Sequence, residues 1–120
     1  MVRIESLRIL LTIAAHEDLE VHQIDVVTVY LAGVLEEEIY MAPPQGLLGI
    51  VGKVCYLKKG LYGLKQSARV WNQRIGSELK KAGLRAIVSE RSIWVTKDYG
   101  LILALYVDDI VLFARKTQAL

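Results

Sequence analysis

Several residue types that would decide a fold class are scarce in this 120-residue sequence. Its single cysteine, Cys55, cannot form an intrachain disulfide, which excludes the small disulfide-held domains and fits a reducing compartment. Both prolines lie in residues 42–52, a segment typical of a loop, and the sequence contains no linker or internal repeat. No stretch reaches the roughly twenty uninterrupted apolar residues that a transmembrane helix needs.

Motifs for several kinds of chemistry are also missing. His16 and His22 have no partner at metal-ligand spacing, and no Ser-His-Asp or Cys-His arrangement stands out. The glycines of residues 46–52 lack the lysine of a phosphate-binding loop. Charged residues interrupt the apolar N-terminal stretch, so we expect no secretion signal and an intracellular protein, in a cytoplasmic particle or the nucleus.

The charge is nearly balanced, whereas apolar residues are abundant. The sequence has 15 Lys and Arg against 13 Asp and Glu, a net charge of +2 that is compatible with nucleic-acid binding but is no evidence for it. Hydrophobic residues make up 53% of the chain, and the mean hydropathy is +0.34. Such a chain can bury a core, and we also expect exposed apolar surface that promotes self-association.

The spacing of apolar residues predicts the element order helix, strands, helix, strands. Residues 4–18 and 67–83 have helical spacing, and Gly83 is a natural stop for the second helix. The residues predicted to share one helix face are Ile4, Leu7, Leu11, Ala14 and Ala15, and then Ala68, Trp71, Ile75, Leu79 and Ala82. The predicted strands are residues 20–31, 37–42, 53–57, 92–97, 101–107 and 110–114. This order indicates an α+β domain, an antiparallel sheet with helices on one face.

Residues 101–114, LILALYVDDIVLFA, place the adjacent carboxylates of Asp108 and Asp109 in one of the most apolar segments of the chain. A membrane helix or a buried helix would hold both charges without compensation, at a high free-energy cost. Two strands that reverse at the pair place both side chains at the tip of a tight hairpin. We therefore predict a hairpin.

Two interpretations of this tip stay open on the residues alone. Asp is a common turn residue, so the pair could serve the turn and nothing more. Two-residue turns, however, prefer Gly or Asn, and adjacent like charges repel each other unless a cation lies between them. Mg²⁺ takes oxygen ligands, and Asp25, in the predicted strand of residues 20–31, is the candidate third carboxylate of a two-metal site for phosphoryl transfer.

Three segments carry a resemblance to a known family. YVDD, residues 106–109, looks like the catalytic motif of reverse transcriptases. Residues 22–46, HQIDVVTVYLAGVLEEEIYMAPPQG, resemble the segment around the first catalytic aspartate of copia-type LTR retrotransposon polymerases. Residues 53–72, KVCYLKKGLYGLKQSARVWN, resemble the family's LKKxLYGLKQxxRxW segment. YVDD alone is a weak signal, but LYGLKQ, then Trp, then YVDD in this order is specific, and the resemblance covers nearly the whole chain.

The resemblance implies catalytic and metal-binding roles for three carboxylates. Asp25 and Asp108 match the first and second catalytic aspartates, and Asp109 matches the third, whose contact with metal is less direct. The implied cofactor is a pair of Mg²⁺ ions, with Mn²⁺ as a substitute.

Further positions match the family's nucleotide and primer contacts. Tyr30 matches the aromatic residue that stacks under the incoming sugar and excludes a ribose 2′-hydroxyl. The implied nucleotide-binding residues are Thr28, Val29, Tyr30 and Gln66, and the implied primer-proximal residues are Tyr106 and Val107.

The resemblance also implies a fold and partners. The fold would be a reverse-transcriptase palm, an antiparallel sheet packed on two helices with the catalytic β-hairpin at the C-terminal end. Residues 1–120 would form a single partial domain, the palm with part of the fingers, without the thumb and the RNase H domain. The expected partners are an RNA or DNA template with its primer, dNTP and the remaining polyprotein parts, and no membrane.

Two functions remain open. The chain is either the palm fragment of an RNA-directed DNA polymerase, transferring a nucleotide from dNTP to a primer 3′-OH, or a truncated or domesticated remnant that binds nucleic acid or protein without catalysis. Because no thumb would clamp a duplex, we expect the isolated chain to bind metal weakly and to polymerise poorly or not at all. A basic cluster could contact template phosphates or lie in a solvated loop. Its members are Lys58, Lys59, Lys65 and Arg69.

Overall fold

The computed structural model describes residues 1–116, with the backbone alone at Val29 and Ala32. The helices are Ile4–His16 (α1) and Lys65–Lys81 (α2), with a short 3₁₀ helix at Val29–Ala32. The strands are Glu20–Asp25 (β1), Val34–Met41 (β2), Cys55–Lys59 (β3), Arg85–Ala86 (β4), Ile93–Val95 (β5), Leu101–Tyr106 (β6) and Asp109–Ala114 (β7). These elements confirm an α+β fold with an antiparallel sheet. Within residues 1–116, neither helix is long and apolar enough to cross a membrane.

The chain divides into two compact units. Unit 1 comprises Met1–Val27 and residues 75–116, and unit 2 comprises Thr28–Arg74. Unit 1 contains a five-stranded antiparallel sheet in the order β1-β7-β6-β5-β4, and unit 2 contains the antiparallel pair of β2 and β3. The single partial domain expected for residues 1–120 stays a prediction.

The sheet of unit 1 is covered on both faces, with α1 on one and α2 on the other. Successive residues of a strand point to opposite faces. In β6, Ala104 packs in the core cluster that contains Leu10 of α1, while Leu103 packs in the cluster that contains Leu79 of α2. In β7, Phe113, 1% exposed, belongs to the α1 cluster and Ile110 to the α2 cluster.

The expectation of helices on one face is therefore wrong. The physical reason lies in β6, whose sequence LILALY is apolar at nearly every position. A sheet with one wet face alternates apolar and polar residues, whereas a continuous apolar run needs cover on both sides.

The buried face of α1 also differs from the predicted face. Leu10 and Ala14 are buried, whereas Ile4 is 56% exposed and Leu11 is 46% exposed. Ile9 and Ile13 are exposed too, so α1 is apolar on most of its circumference. Helical spacing alone could not choose between these faces because both satisfy it.

Helix α2 ends as predicted but is buried over fewer residues. Gly83 adopts φ +85°, and the N–H of Leu84 donates to the carbonyl of Leu79 at 2.9 Å, a left-handed glycine stop. Leu79 is buried, whereas Ala68 and Ala82 are exposed, so the apolar face predicted for the helix is too long.

The strand predicted for residues 20–31 ends at Asp25. Thr28 adopts φ +60°, a left-handed conformation that a strand cannot continue through, and the 3₁₀ helix follows directly. The β-branched residues after Asp25 favour a longer strand, but the observed strand stops earlier, so Asp25 is its last residue.

An ion pair connects the residue before α1 with the segment before β5. Arg3 Nε donates to Glu90 Oε2 at 2.8 Å. This hydrogen bond is the main reason why the pKa of Glu90 lies below its ordinary value. Because the folded carboxyl binds protons less readily than the unfolded one, the pair stabilises the fold above the unfolded pKa and less as the pH falls through the folded pKa.

The core contact of α1 can be tested with two neighbouring leucines. Leu10→Ala is expected to lower the free energy of unfolding by about 2–4 kcal/mol, since it leaves a cavity against the sheet. Leu11→Ala, the matched control on the exposed face, is expected to cost less than about 1 kcal/mol. Urea denaturation followed by circular dichroism measures both, and equal losses would contradict the assigned face.

The Arg3–Glu90 pair predicts a pH-dependent stability difference. Arg3→Met should lower the melting temperature at pH 7, and the difference from the parent chain should vanish in acid, once Glu90 is protonated in both states. Melting curves from pH 7 down to about pH 2 test this prediction, since the unfolded Glu pKa lies near 4.3. Arg91→Met, at an exposed arginine nearby, serves as the control. A difference that persists unchanged in acid would count against the pair.

Candidate active site

Two of the three candidate carboxylates come from strands that pair directly. β1 and β7 are antiparallel, and their register places Asp25 opposite Asp109. Just beyond this pair, the N–H of Val26 donates to the carbonyl of Asp108 at 2.9 Å. The pairing of two strands far apart in sequence thus brings Asp25 to the pair predicted at the tip.

The turn between β6 and β7 lies one residue earlier than predicted. Tyr106 pairs with Asp109, so Val107 and Asp108 form the two-residue connection and Asp109 is the first residue of β7. Val107 adopts φ +56° while Asp108 does not have a positive φ, the pattern of a type II′ turn. The first position of that turn favours Gly, so the backbone strain falls on a β-branched valine and not on either aspartate.

Strand alternation places one oxygen-rich group on a single face. Asp25 and Asp109 are opposite partners, and Tyr106 is the partner of Asp109 on its other side, so the three side chains leave the same face of the sheet. Asp25 and Tyr106 are exposed, whereas Asp108, Asp109 and Val107 are half-buried. Water and solutes can therefore reach this end of the sheet.

A neutral hydrogen-bond donor that the sequence motifs do not predict contacts the group. Gln23 Nε2 donates to Asp109 Oδ1 at 2.9 Å. Within residues 1–116, no Lys, Arg or His side chain forms an ion pair with Asp25, Asp108 or Asp109. The signal that could have found Gln23 is its position two residues before Asp25, which puts both on one strand face.

The arrangement offers the right donor atoms for a hard cation but not a closed cage. Carboxylate oxygens are the ligands that Mg²⁺ prefers. In the described part of the chain, however, no group of three or more His, Cys, Asp or Glu side chains is arranged to hold a metal ion. The donor chemistry fits a divalent cation, and the side chains as they stand do not converge on one point.

The candidate nucleotide-binding residues lie in unit 2. Tyr30 is half-buried in the 3₁₀ helix, and the Tyr62 ring meets its ring edge-on with centroids 4.8 Å apart. Thr28, exposed, immediately precedes this helix, and Gln66 is half-buried in the first turn of α2. The side chain of Val29 lies outside the described residues.

Close backbone packing holds the segment around Tyr30. The N–H of Gly60 donates to the carbonyl of Gly33 at 2.9 Å. A Cβ at Gly60 would collide with the carbonyl oxygen of Tyr30, so only glycine fits between β3 and the 3₁₀ helix. This explains the glycine of LKKG. Tyr62 is a second aromatic residue beside Tyr30, and the sequence motifs assign it no role.

The candidate basic residues are exposed but not all uncompensated. Lys58 and Lys59 lie on β3, and Lys65 begins α2. Arg69 Nη2 lies 3.9 Å from Glu37 Oε1, so an acidic residue of β2 partly offsets its charge. An exposed pair at this distance contributes little stability.

Comparisons with known proteins give one consistent result. A family model described as reverse transcriptase (RNA-dependent DNA polymerase) matches residues 1–120. The chain is 40% identical over 121 residues to the retrovirus-related Pol polyprotein from transposon TNT 1-94 of Nicotiana tabacum, covering 96% of this chain and 9% of that protein. It is 34% identical to the Pol polyprotein from transposon RE1 of Arabidopsis thaliana, covering 93% of this chain and 8% of that protein.

A yeast relative extends the range of organisms. The chain is 35% identical to the transposon Ty1-BL Gag-Pol polyprotein of Saccharomyces cerevisiae, covering 91% of this chain and 6% of that protein. The chain thus spans less than a tenth of the length of these relatives. No solved structure matches it.

The strained turn gives a test of the backbone geometry. Val107→Gly is expected to raise the free energy of unfolding by up to about 1 kcal/mol, because relief of strain outweighs the extra entropy of an unfolded glycine. Val88→Gly, at a 99% exposed position without positive φ, should lower the stability by a few tenths to about 1 kcal/mol. Chemical denaturation measures the free energy of unfolding of both variants. A lower free energy of unfolding in Val107→Gly would contradict the turn assignment.

Proposed function

The chain belongs to the reverse transcriptase (RNA-dependent DNA polymerase) family of copia-type retrotransposons, and on that premise we propose that it supplies the palm and part of the fingers of such a polymerase. The reaction proposed is nucleotidyl transfer from dNTP to a primer 3′-OH. The observation that carries the proposal is the β1–β7 register, which places Asp25 opposite Asp109 with Asp108 in the adjoining turn. The curated relatives are whole Pol polyproteins, so further parts of such a protein would act with this chain.

The carboxylates are the part of the mechanism that this chain can supply. Phosphoryl transfer depends mostly on positioning and on neutralising charge. Reverse transcriptases use divalent metal ions, and a pair of Mg²⁺ ions, with Mn²⁺ as a substitute, would neutralise the attacking and leaving oxygens when bound. Asp25 and Asp108 are proposed as ligands because no cationic side chain within residues 1–116 compensates them. Asp109 completes the acidic group.

The two compact units support separate proposed roles, one for the carboxylates and one for nucleotide contacts. Unit 1 holds the carboxylates together with Tyr106 and Val107 and is proposed as the palm, with the last two beside the primer terminus. Unit 2 is proposed as the part of the fingers that contacts the nucleotide. Its Tyr30 ring is buttressed edge-on by Tyr62, and a ring held in one orientation can exclude a 2′-hydroxyl by shape.

Further residues of unit 2 are proposed to contact the substrates. Thr28, Val29 and Gln66 would line the dNTP site, next to Tyr30. The exposed cations Lys58, Lys59, Lys65 and Arg69 would contact template phosphates, a sequence-independent attraction.

A second function is favoured by one observation. The described residues contain no ready group of three metal-binding side chains, which is what a remnant that has kept the fold without catalysis would show. Such a remnant would bind nucleic acid or protein through unit 2 and would have no use for a cation at Asp25 and Asp108. Metal binding therefore separates the two functions.

A Mg²⁺ titration followed by ¹⁵N–¹H NMR tests the polymerase proposal. We expect shifts confined to residues around Asp25, Asp108 and Asp109 at millimolar metal, and their loss in Asp25→Asn. Glu38→Gln, a change in the exposed acidic run of β2, should leave the titration unchanged. An unaltered spectrum at millimolar Mg²⁺, or shifts centred on residues 36–38, would favour the remnant.

A further inference from the structure

Within residues 1–116, one side-chain hydrogen bond reaches the candidate carboxylates, and it contacts Asp109. Gln23 Nε2 donates to Asp109 Oδ1 at 2.9 Å across the β1–β7 pair. Within residues 1–116, Asp25 and Asp108 receive no side-chain hydrogen bond and no ion pair. The three carboxylates are therefore not equivalent before any cation binds.

The strand register fixes the direction in which Gln23 acts. Gln23 is opposite Val111, and Asp25 is opposite Asp109, so Gln23 lies diagonally from Asp109 on the side away from the β6–β7 turn. Asp108 lies in that turn, on the other side of Asp109. The hydrogen bond therefore draws the Asp109 carboxylate along the sheet, away from Asp108.

The electrostatics act in the same sense. Like charges directly opposite each other on neighbouring strands destabilise the pair, and Asp25 and Asp109 are such partners. In the described part of the chain, the amide N–H of Gln23 compensates the charge of Asp109 alone, so the uncompensated negative charge remains at Asp25 and Asp108. A cation is attracted most strongly to the charge that nothing else neutralises.

From these observations we infer that Gln23 is a positioning residue, which holds Asp109 away from the divalent cation and leaves Asp25 and Asp108 as its protein ligands. The inference rests on the proposed function, since it concerns the same cation site. It also explains why no three-carboxylate group is assembled in the described residues. Gln23 and the cation compete for one carboxylate.

This competition makes the effect of Asp109 depend on Gln23. While Gln23 is present, Asp109→Asn should change the Mn²⁺ dissociation constant by less than about twofold, because asparagine keeps a carbonyl oxygen for the Gln23 donor. Asp25→Asn should raise that constant at least about tenfold. Gln23→Met, of similar length but without a donor, should release Asp109 and tighten Mn²⁺ binding about two- to tenfold, the factor that one hydrogen bond corresponds to.

The double variant separates positioning from a structural effect. In Gln23→Met with Asp109→Asn, the gain in Mn²⁺ affinity should disappear, since the gain acts only through the released carboxylate. Gln73→Met, the same change at an exposed glutamine of α2, should leave affinity within error. The probe is Mn²⁺ alone, measured on the full 120-residue chain by electron paramagnetic resonance, with melting temperatures to show that each variant folds.

A second readout needs no metal. In metal-free ¹⁵N–¹H spectra, the side-chain amide signals of Gln23 should shift in Asp109→Ala and stay in place in Asp25→Asn. No shift in Asp109→Ala would show that the hydrogen bond does not form, and the inference would fail.

The possible results separate the role of Gln23 from the cation site itself. If the parent chain binds Mn²⁺ and Gln23→Met weakens binding or leaves it unchanged, the cation site stands and the role of Gln23 is wrong. Equal losses of affinity in Asp109→Asn and Asp25→Asn would also show that Gln23 does not hold Asp109 away from the cation. A parent chain that binds no Mn²⁺ overturns the cation site and the inference together.

Discussion

The register between β1 and β7 is the constraint on which the candidate site depends. Because side chains alternate between faces, a slip of one residue would turn Asp25 and Gln23 away from the face that carries Asp109. All six residues of β1 are exposed, so burial on β1 does not fix this register. It is fixed by main-chain pairing to β7, a strand anchored by buried Ile110 and Phe113. The arrangement of the candidate site thus depends on a strand that contributes little to the core.

The anchoring of β7 follows from the layers around it. Helices cover both faces of the sheet, so β6 and β7 are held from two sides, and their pairing continues to Tyr106 and Asp109. Only two residues remain to reverse the chain, which forces Val107 to a positive φ that a valine adopts at a cost. The strain persists because the pairing of β6 with β7 determines the turn. This turn places Asp108 beyond the end of the sheet.

The sequence predicts the α+β fold class, but not which faces of its elements packing buries. Two helices and an antiparallel sheet follow from apolar spacing, and the glycine stop of α2 follows from Gly83 alone. The buried face of α1 does not follow from the sequence, because Leu10 and Leu11 are equally apolar and only tertiary packing buries Leu10. The apolar run of β6 indicates a strand, and we expected helices on only one face of its sheet. A strand that is apolar at nearly every position is instead buried on both faces, which requires a helix on each side.

The same limit applies to the site. The pattern YVDD predicts a chain reversal at the two aspartates, since Asp is a better turn former than Val. In the structure Tyr106 pairs with Asp109, so the turn consists of Val107 and Asp108. The sequence places Gln23 on the same strand face as Asp25 but does not predict its contact with Asp109, because that contact depends on a side-chain orientation that only the register with β7 creates.

The open arrangement of the carboxylates is consistent with how magnesium is held in nucleotide-transferring enzymes. Mg²⁺ is usually bound by one or two carboxylates together with substrate phosphates and water, not by an all-protein cage. Under the proposed function, Asp25 and Asp108, which form no ion pair within residues 1–116, would meet that need, while a third carboxylate that converged on them without a cation would add repulsion. If Gln23 holds Asp109 away from the other two carboxylates, this repulsion is lower in the metal-free protein. The same position of Asp109 would leave Asp25 and Asp108 available to a cation, so it would favour both the stability of the free protein and cation binding.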